Sequence, residues 1–99
     1  MTRNIPKSVT YENGRLIFLD QTQLPNNVVF EEQSSVEQVW NSIKMLKVRG
    51  APAIGVAGAY GLFLGAKNLL NKTAQISPEN FIYELNKIAD YLDSSRPTA

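Results

Sequence analysis

At 99 residues the chain is one domain at most, and a chain of this length buries only about two thirds of its unfolded surface, so its core is small. With 43% hydrophobic and 19% charged residues it is globular in composition, and a net charge of +1 excludes the broad basic field that nucleic acid requires. The absence of cysteine and histidine removes disulfides, thiolate catalysis, the commonest zinc ligands and the usual base near neutral pH, so chemistry done by these residues alone is severely restricted.

The first eight residues are polar and carry Pro6, without the basic start, apolar run and small-residue cleavage site of a secretory leader; the chain reads as cytoplasmic. Two runs, 9–12 and 15–19, flank Asn13-Gly14, the dipeptide that most readily takes positive φ in a two-residue hairpin. The second run is apolar on both faces, which predicts a strand covered twice over part of its length. Residues 20–27 end it, with Asp20 placed to cap a turn, the default, or to contact a neighbouring domain, and residues 28–31 predict a third strand. Ser34 followed by Glu37 forms a capping box, and Val36, Val39, Trp40, Ile43 and Leu46 recur at helical spacing over 35–47. Pro52 suits the first turn of a second helix, which runs uncharged to Lys67 or slightly beyond. After a connector at 71–76, Ser77-Pro78-Glu79 supplies a cap, a first-turn proline and a dipole-matching acid. Phe81, Leu85, Ile88 and Leu92 then give the third helix one apolar stripe ending near Asp93, with Asp90 and Asp93 on its solvated side. The predicted fold class is α+β: a small antiparallel hairpin or three-stranded sheet followed by a bundle of about three helices.

The chain is organised around VRGAPAIGVAGAYGL at 48–62. Between Arg49 and Lys67 there is no charge, so this segment is expected to be covered. At the lower edge of bilayer-spanning length and interrupted by Pro52 and four glycines, it reads better as a core helix than as a membrane span, and no membrane partner is expected. The spacing of Gly55, Gly58, Gly61 and Gly65 puts them along one side, where another backbone can come close; packing alone accounts for them. The entrance is different in kind. A helix N-terminus presents unpaired N–H groups and partial positive charge, which suits phosphate, and Arg49 beside Gly50 and Ala51 adds a bidentate donor. If the second and third helices are antiparallel neighbours, Arg96 returns to that end and two arginines converge on one anion; otherwise both are ordinary surface charges. Neither a Walker loop nor a dinucleotide fingerprint is present.

The stretch VRGAPAIGVAGAYGL, with LDQTQLP upstream and SSRPTA at the end, resembles the N-terminal part of methylthioribose-1-phosphate isomerase, in a superfamily shared with ribose-1,5-bisphosphate isomerase and the regulatory subunits of the eukaryotic initiation-factor exchange complex. The resemblance covers essentially all 99 residues. It implies an N-terminal domain of a larger two-domain enzyme of methionine salvage, converting 5-methylthioribose 1-phosphate to 5-methylthioribulose 1-phosphate without cofactor or metal. It also implies that the catalytic cysteine and aspartate lie in an absent C-terminal Rossmann-like domain, that the full-length protein is a homodimer, and that these 99 residues alone are inactive. Arg49 and Arg96 map onto the family's phosphate-binding arginines, with Gly50 and Ala51 supplying first-turn amides. The rival readings are a non-catalytic regulatory subunit that binds a protein partner or a sugar phosphate, and a complete small protein using the glycine face as an interaction surface. An exposed interdomain surface would make the fragment self-associate.

Overall fold

A computed structural model describes residues 7–72 and 75–96. Strands β1 (Val9–Glu12), β2 (Arg15–Leu19) and β3 (Phe30–Gln33) form an antiparallel sheet in the order β1-β2-β3, and helices α1 (Val36–Lys44), α2 (Ala51–Lys72) and α3 (Pro78–Asp93) pack beside it. The predicted α+β class holds. The hairpin turns at Asn13 and Gly14 with φ of 53° and 75°, positive at both as the sequence requires, and pairs Val9 with Phe18 and Glu12 with Arg15. Phe18 and Leu19 are neighbours and so face opposite sides of the sheet, yet both are buried; the end of β2 is covered twice, as expected. β3 begins two residues later than predicted, because Gln33 pairs with Leu16 and Phe30 with Leu19, while Val28 and Val29 stay exposed outside the strand.

The core joins Leu16 and Phe18 of the sheet to Val39 and Ile43 of α1, Ile54 and Ala57 of α2, and Leu92 of α3. Asp20 takes the predicted turn role: its carboxylate accepts from the Thr22 amide at 3.0 Å and caps a 3-10 turn at Gln21–Gln23. The Gln21 amide donates to the Lys47 carbonyl at 2.9 Å, which ties the sheet to the loop ahead of α2. On the sheet's outer side, hydrogen bonding from Arg15 holds the Glu32 carboxyl below its usual range.

Helix ends explain the remaining shifts. The cap of α1 is Ser35, not Ser34: the Ser35 hydroxyl accepts from the Gln38 amide at 3.2 Å, while the Gln38 side chain accepts from the Ser34 amide. Helix α1 stops at Lys44 in a Schellman turn, with the Lys47 amide donating to the Ser42 carbonyl and the Leu46 amide to the Ile43 carbonyl. The left-handed position of that turn, usually glycine, is Leu46 at φ 61°. A side chain there costs about 1 kcal/mol, and Leu46 is 44% exposed, so Leu46→Gly is expected to stabilise the chain by about 0.5–1 kcal/mol in chemical denaturation; a clear loss of stability would contradict this reading of the turn. Helix α2 continues beyond Lys67 to Lys72, two residues into the expected connector at 71–76, and α3 starts at Pro78 behind the Ser77 cap as predicted.

Helix α2 divides its glycines. A Cβ on Gly61 would lie 2.8 Å from Val39 Cγ1 and 3.1 Å from Leu92 Cδ1, and one on Gly65 would lie 2.9 Å from Val36 Cγ2 and 3.0 Å from Ile88 Cδ1. These two admit the side chains of α1 and α3, rather than the expected backbone. Among the described residues, Gly55 and Gly58 have no neighbour within 4 Å of such a Cβ. The uncharged segment is also less covered than expected, since Val56, Phe63 and Leu70 are exposed, about half or slightly less of each. By length and composition α2 is a helix that meets the requirement for crossing a membrane; here it is the centre of the helical layer.

Candidate functional site

The direction of the helices follows from the glycine contacts. Gly61 meets Leu92 and Gly65 meets Ile88, so four residues forward along α2 correspond to four residues back along α3, and the two helices are antiparallel. The condition set for bringing Arg96 to the start of α2 is therefore met. The same register carries Arg96, four residues beyond Leu92, level with Ala57 in the second turn of α2. At 1.5 Å per residue that is about 10 Å along the axis from Gly50.

At the entrance, Gly50 has φ of 89°, a value that glycine adopts without strain, and its carbonyl accepts the first helical bond from the Ile54 amide at 2.9 Å. Glycine has no capping side chain, Pro52 has no amide hydrogen, and the first turn holds no acid. Among the described residues, the Ala51 and Ala53 amides receive no side-chain cap, in contrast to the serine-capped starts of α1 and α3. Ala51 and Gly50 are exposed. Arg49 is exposed just ahead of them, and its Nε donates to the Leu46 carbonyl at 3.3 Å, so the left-handed turn that ends α1 also steadies this arginine.

Arg96 lies at the end of α3 on a groove of about 230 Å³ whose walls include Ile54, Gly55, Gly58, Leu92 and Asp93. The open glycines of α2 thus border the same groove as the arginine. Arg96 faces Asp93 at 4.0 Å with both side chains more than half exposed, a loose pair in water that a phosphate dianion can displace. Arg49 is not part of the groove wall; the structure brings the two arginines to one end of the α2–α3 pair without direct contact. Pro97, Thr98 and Ala99 of the SSRPTA motif lie outside the described residues.

The residue patterns did not anticipate how Arg96 is held. Trp40, expected in the core, is half-buried; its ring stacks on Tyr91 at 5.7 Å and its indole N–H donates to the Ser94 hydroxyl at 2.9 Å. Tyr60 is half-buried and stacks on Tyr11 at 5.5 Å. Among the described residues no cluster of acids could hold a metal ion.

Over nearly its whole length the chain is similar to isomerases of sugar 1-phosphates. It is 46% identical over 91 residues to a 5-deoxyribose 1-phosphate isomerase from Bacillus cereus, covering 92% of this chain and 25% of that protein. It is 43% identical over 95 residues to a methylthioribose-1-phosphate isomerase from the same species, covering 96% and 26%. Among solved structures, 5-methylthioribose 1-phosphate isomerase from Pyrococcus horikoshii superposes with a TM-score of 0.82 at 36% identity, over 96% of this chain and 26% of the other. The delta subunit of translation initiation factor eIF-2B from A. fulgidus superposes with a TM-score of 0.74 at 39% identity, over 92% and 25%. The chain therefore spans about a quarter of the length of these relatives. No family model matches it.

Proposed function

We propose that these residues are the N-terminal, substrate-phosphate-binding domain of a cytoplasmic, dimeric aldose–ketose isomerase that converts 5-methylthioribose 1-phosphate to 5-methylthioribulose 1-phosphate in methionine salvage. The observation that carries the reading is the antiparallel register of α2 and α3, which puts Arg96 on the flank of the helix whose uncapped N-terminus follows Arg49. In this reading the phosphate sits on the Ala51 and Ala53 amides with the Arg49 fork across it, and Arg96 reaches back along the groove to a third oxygen. Holding the dianion fixes C1 and C2 of the sugar beneath acid and base groups from the rest of the protein, where the hydrogen is moved from one carbon to the other. In this reading the chain supplies charge and position, and the rest of the protein supplies the groups that carry the proton.

The similarity to a 5-deoxyribose 1-phosphate isomerase supports the same phosphate site and leaves the group at C5 as the variable part of the substrate. A second reading, a regulatory subunit, draws on the similarity to the eIF-2B delta subunit. The complete protein, assayed with 5-methylthioribose 1-phosphate and 5-deoxyribose 1-phosphate, separates them. Ketose formation from either sugar supports the isomerase. No turnover of either, with a downstream sequence lacking the catalytic cysteine and aspartate, favours the regulatory subunit.

A further inference from the structure

Arg96 follows the last helical turn of α3, and what steadies that turn is a residue on α1. The Trp40 indole N–H donates to the Ser94 hydroxyl at 2.9 Å across 54 positions of sequence, and the Ser94 hydroxyl in turn donates to the Tyr91 carbonyl. The Trp40 ring lies against Tyr91 at 18° between planes, one turn before Ser94. Behind Ser94 the chain stays wound: the Ser95 amide donates to the Leu92 carbonyl at 3.1 Å, the Arg96 amide to the Asp93 carbonyl at 3.2 Å, and the Ser95 side chain is buried. Arg96 thus follows directly on a segment fixed on two sides, while among the described residues its own side chain has the loose contact with Asp93 alone.

Packing alone does not call for tryptophan here. A phenylalanine would keep the stack on Tyr91 and the contact with the core; only the indole N–H reaches the residue two positions before Arg96. From this we infer that Trp40 is a positioning residue for the phosphate site, acting through Ser94 to hold Arg96 over the groove. The inference rests on the phosphate reading of Arg96. A guanidinium must meet phosphate with both distance and plane correct, so slack in its backbone is felt as lost affinity and lost rate.

The test is a double-mutant cycle in the complete protein, measuring kcat/KM for 5-methylthioribose 1-phosphate in Trp40→Phe, Arg96→Ala and the pair. Trp40→Phe is expected to lower kcat/KM about threefold to tenfold, the scale of one hydrogen bond, and to have no further effect once Arg96 is alanine. A merely structural tryptophan would multiply the two losses. If Arg96→Ala is impaired while Trp40→Phe matches wild type, or if the losses multiply, the positioning role is overturned and the phosphate site stands. If Arg96→Ala itself matches wild type, Arg96 has no part in the phosphate site and this inference fails with it. Ser94→Ala removes the acceptor with little change in packing and is run through the same cycle, so a poorly folding Trp40 variant does not decide the matter.

Discussion

Replacing Arg96 or Arg49 by alanine in the complete protein is expected to lower kcat/KM by roughly tenfold to over a hundredfold, because one charge-assisted contact is worth about 1.5–3 kcal/mol. Stability should hardly move. Among the described residues Arg96 has an exposed pair with Asp93 at 4.0 Å and Arg49 donates an exposed hydrogen bond to the Leu46 carbonyl, contacts worth under about 1 kcal/mol. The contrast between a large kinetic loss and an unchanged melting temperature distinguishes a ligand-binding arginine from a structural one. Lysine keeps the charge but not the fork, so Arg96→Lys is expected to recover only part of the loss. Wild-type kcat/KM in both alanine variants would remove the phosphate assignment.

The second large effect is a difference in sign within one helix. Gly61→Ala is expected to destabilise the 99-residue chain by about 1–2 kcal/mol, since the new methyl meets Val39 Cγ1 at 2.8 Å and Val39 is fully buried on a stiff β-branched side chain. Gly61→Leu should cost about 3 kcal/mol or more and lower the melting temperature by over about 10 °C. Gly58→Ala meets nothing within 4 Å among the described residues and gains helix propensity, so it is expected to stabilise by up to about 1 kcal/mol. Thermal melts of the three variants give the answer directly. Equal responses at Gly58 and Gly61 would mean that the helices do not pack as described.

These glycines also mark where the residue pattern stopped being informative. The hairpin at Asn13-Gly14 and the start of α3 at Ser77-Pro78 were legible because the deciding interactions are local, a positive φ in one case and a cap with a first-turn proline in the other. The place of Arg49 and Gly50 just ahead of a helix start was legible for the same reason, from Pro52 in the first turn. The α1 cap was displaced by one residue because Ser34 with Glu37 and Ser35 with Gln38 fit the same pattern, and only the backbone decides between them. The Schellman turn was invisible, since leucine stands where glycine would have signalled it. Spacing placed Gly55, Gly58, Gly61 and Gly65 on one side, but which of them meets a neighbour depends on where α1 and α3 lie along α2. Trp40 and Ser94, 54 positions apart, carry no local sign of their contact.

The central claim is that this end of the α2–α3 pair recognises a phosphate dianion rather than a sugar in general. Its most direct measurement compares the dissociation constants of 5-methylthioribose 1-phosphate and dephosphorylated 5-methylthioribose, in the complete protein and in the double variant Arg49→Gln, Arg96→Gln. The account predicts that the wild type prefers the phosphorylated sugar strongly and that the double variant loses at least a hundredfold of that preference, with binding of the dephosphorylated sugar little changed. A double variant that still prefers the phosphorylated sugar as strongly as the wild type would contradict it.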